Sequence, residues 1–194
     1  MKKYKLQLAR NFLCVPAVLE TICLAEGYNI KQSDIADFFG INLPLDCKKD
    51  YQDLQNIHIV DDSRYWGIVL SYDSINCFFQ HFQIKLYEKY IPINTISEEN
   101  FDDKLTQLMQ TTPHIVCGFR YTALYNGNPG DYGHVSIICD IDRKGKITLL
   151  DPGPKDAGYK IVDADALHYA IKMHRDGLWC IKHLPEERET YEVV

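Results

Sequence analysis

The stretch Gly133-His134-Val-Ser-Ile-Ile-Cys-Asp-Ile141, then Asp142-Arg-Lys-Gly145, then Lys146-Ile-Thr-Leu-Leu-Asp151-Pro152 decides the fold class. Two apolar, β-branched runs flank a four-residue turn that ends in glycine, which is the signature of a β-hairpin. Its first run is the most apolar strand of the chain. Counting around the turn sets position 134 opposite positions 151–153, to within a residue or two of register. An imidazole at the entry to one strand and a carboxylate at the exit of its partner are therefore spatial neighbours, although 17 residues apart.

Further strands surround this hairpin in sequence. Ile84–Ile91 alternates, His114–Tyr121 is apolar, and Leu178–His183 returns after a helix capped by Asp163 and running to about Met173. The first half of the chain reads mainly as helices. Val15, Val18, Leu19, Ile22, Cys23 and Ala25 recur at spacings of three and four, which predicts one buried face, with Pro16 in the first turn and Gly27 as the stop. A second helix over 31–40 has Ser33 as its N-cap and Gly40 as its end. Residues 41–66 read as an irregular polar surface loop bordering a cleft. Ser71–Gln83 buries Ile75, Phe78, Phe79 and Phe82. A helix beginning after Ser97 buries Phe101, Leu105, Leu108 and Met109. Helices followed by an antiparallel sheet define an α+β class. No linker or repeat divides the chain, so residues 1–185 form one domain and 186–194 a loose tail.

Composition narrows the chemistry. The 194 residues are 46% hydrophobic and 25% charged, with a net charge of -6, an ordinary globular balance. No basic cluster offsets that charge, so nucleic acid is not an expected partner. No run is long and apolar enough for a membrane span. The seven cysteines are odd in number, scattered and free of any CxxC. This favours a reducing, cytoplasmic setting over a disulfide framework or structural zinc site, and no cofactor is implied. Motifs for nucleotide phosphates, zinc peptidases and serine hydrolases are absent.

What remains is thiol chemistry. Cys14 begins a helix, where unpaired N–H groups and the dipole favour a thiolate. Such a nucleophile needs a base, and the base needs an orienting group. Six histidines (58, 81, 114, 168, 174 and 183) read as surface or capping residues. His134 differs because it follows a Gly-rich loop and opens a buried strand, and Asp151 lies one hairpin strand away. Gln7 in the lead-in could supply an oxyanion donor, with the Cys14 backbone N–H as the second. Asp151-Pro-Gly also reads as a turn initiator, and both roles can hold together.

These residues resemble the papain-like cysteine peptidases, and within them the compact bacterial branch that processes double-glycine leader peptides. The matching parts are Gln7, Cys14, Gly133-His134-Val-Ser-Ile-Ile and Leu149-Leu-Asp151-Pro152. The resemblance implies a papain-like fold, with oxyanion glutamine, nucleophile, base and orienting residue on Gln7, Cys14, His134 and Asp151 in that order. Gln7 stands one residue farther from the cysteine than the family spacing, and Asn11 is an alternative donor. Val15 stands where the family has glycine or another small residue. The implied reaction is attack on a peptide or other acyl substrate to give a thioester, followed by hydrolysis. Transfer to an amine, or a non-catalytic binding module on the same scaffold, is the alternative. The 41–66 region and the 122–132 loop would set specificity, with Tyr132 and Trp179 as candidate cleft residues.

Overall fold

The computed structural model describes residues 2–71, 73–125, 132–154 and 156–185. The expected tail 186–194, and residues 126–131 of the loop assigned to specificity, lie outside the described residues. In chain order the elements are helices α1 (Cys14–Ala25) and α2 (Gln32–Phe39), strands β1 (Ile41–Leu43) and β2 (Ile57–Ile59), then α3 (Ser74–His81) and β3 (Leu86–Pro92). Next come α4 (Phe101–Thr111), β4 (His114–Arg120), the short α5 (Tyr121–Leu124), β5 (Gly133–Ile141), β6 (Lys146–Asp151), β7 (Gly158–Asp163), α6 (Ala164–His174) and β8 (Gly177–His183).

Six strands form one sheet in the order β3-β8-β4-β5-β6-β7, with every pairing antiparallel. The hairpin expected from the sequence is β5–β6. Ile137 pairs with Leu150, so extending the register sets position 134 opposite 153, and a bulge lies between Ile138 and Asp140. β7 corrects the sequence reading, which has no strand between Pro154 and the last helix. Its Tyr-Lys-Ile-Val run supplies β-forming residues, and alternate side chains are partly covered.

Both faces of the sheet are covered. One packs Val116, Val135, Ile137, Leu150 and Ile181 against α1 and α3, and the other packs Ile115, Phe119, Ile138, Leu149 and Leu178 against α4 and α6. α1 is not the one-sided helix its periodicity suggests. Val15 to Cys23 are all buried, whereas Ala25 is exposed, because α2, the lead-in segment and β5 surround the helix. Burying side chains such as Leu19 and Ile22 contributes about 1.5–3 kcal/mol each. Gly27, at φ +85°, ends the helix as expected, with the Tyr28 N–H returning to the Cys23 carbonyl at 2.8 Å. α2 begins earlier than a Ser33 cap would place it. Its N-cap is Lys31, whose N–H donates to the Asp34 carboxylate at 3.2 Å.

The far end of α1 is tied to the sheet by one carboxylate. Glu26 Oε1 and Oε2 each lie 2.7 Å from an imidazole nitrogen, those of His114 on β4 and His183 on β8. Glu26→Gln keeps the shape and removes the charge. Because Glu26 and His183 are partly exposed, a loss of about 1 kcal/mol is expected, read as a lower urea midpoint at unchanged m-value.

Residues 41–66 are ordered rather than an irregular loop. β1 and β2 pair in parallel, 3₁₀ turns span Leu45–Tyr51 and Ser63–Tyr65, and Ile41, Leu43, Tyr51 and Leu54 bury against Leu13 and Ala36. Their irregular spacing hides this small core from periodicity arguments.

Candidate active site

The segment before Cys14 is held from two directions. Arg10 forms a forked ion pair with Asp53 and lies 4.5 Å over the Tyr51 ring. The Tyr51 hydroxyl donates to the Asn11 carbonyl. Phe12 adopts φ +65°, a conformation non-glycine residues rarely take, and its ring is fixed edge-on to Trp66 at 5.9 Å. Leu13 is fully buried, and its carbonyl accepts the first helical bond from Ala17. On the other side, the Ala9 N–H donates to the Pro152 carbonyl at 2.9 Å, joining the lead-in to the turn after Asp151. Cys14 emerges half-buried as the first residue of α1, where backbone N–H groups have no intrahelical acceptor.

His134 opens β5 opposite Phe119 and is 4% exposed. The rings of Phe119 and Tyr121 stand edge-on to it, each at 5.5 Å. The preceding Gly133 is required by close approach, since a Cβ there would lie 2.3 Å from the His174 ring. His134 Nε2 bonds Asp151 Oδ1 at 3.0 Å, and the same oxygen accepts the Gly153 N–H at 2.9 Å. Asp151 therefore both shapes the turn and orients the ring, as its sequence context allows. The Cys14 thiol lies beside the imidazole, near enough to help hold the ring's proton. With Nε2 on the carboxylate, Nδ1 is left for the sulfur.

Burial works against a charged ring here. The Asp151 hydrogen bond, and then the neighbouring Cys14, outweigh it and raise the His134 pKa to about 9. The structure thus brings Cys14, His134 and Asp151 together. Gln7 has a different surround. Its Nε2 donates to the Lys5 carbonyl, and its backbone N–H donates to Thr21 Oγ1, about two turns along α1 from Cys14. Asn11 has an exposed side chain. Tyr132 stacks on Tyr121 at 5.0 Å, whereas Trp179 is a core residue.

Not all the remaining histidines are surface or capping groups. His114 and His168 are each only 4% exposed, the first on Glu26 and Tyr4 and the second on the Ile96 carbonyl. Among the described residues no group of three or more His, Cys, Asp or Glu is arranged to hold a metal ion.

Two residues beside the trio carry no signal of their own in the sequence. Lys160 Nζ lies 3.9 Å from Asp151 Oδ2 and 4.5 Å from the Tyr125 ring centre. Burial, and next the Asp151 charge, push the Tyr125 phenol pKa up. Recognising β7 would have found Lys160, because Asp151 pairs with Gly158 and side chains two apart share a face.

No protein-family profile matches the chain, and no curated protein matches it in sequence. The fold does have solved counterparts. One is a Bacillus anthracis crystal structure described as a "putative C39-like peptidase", with TM-score 0.55 and 10% identity, covering 94% of this chain and 100% of the other. At that identity the likeness shows a shared α+β fold. Among the described residues no helix is long and apolar enough to cross a membrane.

Proposed function

We propose that the protein is a cysteine peptidase acting through Cys14, His134 and Asp151. The observation that carries this reading is one buried imidazole shared by a helix-start thiol and a buried carboxylate. Cys14 Sγ, with its proton held by His134, attacks the substrate carbonyl carbon. The oxyanion is met by the Cys14 backbone N–H and by a side-chain amide, either Gln7 after a rotamer change or Asn11. His134 gives its proton to the leaving amine as the C–N bond breaks, leaving a thioester on Cys14. Water, deprotonated by His134, then releases the acid and restores the thiol. Asp151 holds the ring in the required tautomer throughout. The shared fold supports a peptide substrate. Transfer of the acyl group to an amine would use the same residues and differ only in the acceptor.

Alkylation of the seven cysteines, mapped by peptide mass spectrometry as a function of pH, tests the reading. Cys77 is exposed while Cys14 is half-buried, so accessibility alone favours Cys77. The expected result is that Cys14 reacts fastest below pH 7, and that Cys14→Ala abolishes peptide turnover with the fold retained. A Cys14 that reacts no faster than the others would leave a core thiol and remove the peptidase reading.

A further inference from the structure

We propose that Lys160 is a positioning residue for the trio, its ammonium balancing the outer oxygen of Asp151 so that the carboxylate stays aligned on His134. The inference rests on the peptidase reading above and extends it to a residue on a strand that carries none of the trio.

Asp151 is 1% exposed, and its two oxygens are treated unequally. Oδ1 accepts from His134 and Gly153, whereas Oδ2 is buried and has no hydrogen bond of ordinary geometry among the described residues. A buried half-carboxylate in that condition is costly unless a charge offsets it. Lys160 supplies one. The β6–β7 register pairs Leu149 with Lys160 and Asp151 with Gly158, so the lysine stem runs diagonally across one face to reach Oδ2 at 3.9 Å. That separation is an ion pair and too long for a hydrogen bond. The side chain is 19% exposed, and the ammonium rests on the Tyr125 ring at 4.5 Å. The Tyr125 hydroxyl is near the same carboxylate but closes no hydrogen bond of ordinary geometry with it, so the ring serves here as the platform that aims the cation.

The groups facing Asp151 come from several elements. His134 on β5 bonds it, and Cys117 on β4, Tyr121 and Tyr125 at α5 and Tyr132 before β5 lie within reach of its charge. Lys160 adds a positive charge from β7. It therefore does two opposed things. It steadies the carboxylate, and as a like charge it weakens the hold of His134 on its own proton.

That opposition gives a test which a purely structural role would not satisfy. Alkylation of Cys14 by iodoacetate, an anion favoured by the imidazolium, should trace a bell against pH. Its alkaline limb marks loss of the His134 proton. In Lys160→Gln the maximum falls about three- to tenfold and the limb moves down by about half a pH unit, because a misaligned Asp151 loses its hold on the His134 proton and that loss outweighs the removal of a more distant like charge. Lys160→Arg restores the limb to its wild-type position. Lys160→Met carries the same expectation should the glutamine variant fold poorly by circular dichroism. A limb that stays put or moves up in a folded, charge-free variant overturns the inference while leaving the peptidase reading intact. A wild-type profile with no bell at all overturns the peptidase reading itself.

Discussion

Replacing His134 with alanine slows alkylation of Cys14 near pH 6 by at least about tenfold and lowers peptide turnover by about 10²–10⁴-fold. The acceleration at pH 6 depends on a cation beside the sulfur, and the His134 ring is that cation, with its pKa raised to about 9 despite its burial. Without the ring, the α1 N-terminus is left as the main influence on the thiol, an effect worth about 0.3–1 kcal/mol. Turnover suffers more than alkylation because the amine leaving group also needs a proton, which alkylation does not. The two readouts therefore separate the ring's electrostatic and acid–base roles. Rates measured across pH 5–9 by mass spectrometry, with melting temperatures as the folding control, decide the matter. An alkylation rate at pH 6 within twofold of wild type would remove His134 from the mechanism.

The trio is legible in sequence because two of its members belong to one hairpin. Strand alternation and a four-residue turn fix which residues lie across from each other, so His134 and Asp151 pair from register alone. The observed register, with Ile137 opposite Leu150, falls inside the predicted range. Cys14 is legible through helix physics: a proline in the first turn, apolar spacing behind it, and a glycine stop. What periodicity cannot supply is the joining of these parts. The Ala9–Pro152 backbone bond and the Arg10–Asp53 fork act between segments with no common repeat, and each depends on a tertiary arrangement that no local pattern encodes.

The 41–66 segment escapes a sequence reading for a related reason. Its apolar residues face Leu13 and Ala36 through short turns and a three-residue parallel pair, elements too brief to show a period. Charged residues such as Lys48, Lys49 and Asp50 sit on the outer side of those turns and give the segment its polar look. α1 shows the converse. Its apolar residues are spaced as for one face, yet Glu20 and Thr21 are buried too, because Gln32 bonds Glu20 at 3.0 Å and the Gln7 backbone bonds Thr21 at 3.0 Å. Polar residues satisfied by neighbours extend burial beyond the hydrophobic stripe. β7 is hard to see in sequence because half its side chains, including Tyr159 and Ile161, are exposed on an edge strand.

Asp151→Asn separates charge from shape at the carboxylate behind the ring. The amide oxygen can still accept the Gly153 N–H, so the turn persists, but the ring loses the largest influence raising its pKa. The His134 midpoint, followed by NMR of the ring, falls from about 9 toward the ordinary 6.5. Turnover at pH 7 falls by about a hundredfold or more, since the base is then mostly uncharged and free to take the wrong tautomer. Stability follows the same sign. A histidine whose pKa is raised on folding contributes stability that is fully present below about 6.5 and is lost as pH rises through about 9. A Cys14→Ser background removes the titration of the thiol. In that background the protein with Asp151 intact should lose on the order of 1–2 kcal/mol across the window. The Asp151→Asn variant should lose little, so the stability gap between the two narrows as pH rises from about 6 to about 9.5. Urea denaturation at the two ends reads it directly. A gap of the same size at both would mean that the carboxylate supports the fold without holding a charged ring, and Asp151 would then be a turn residue alone.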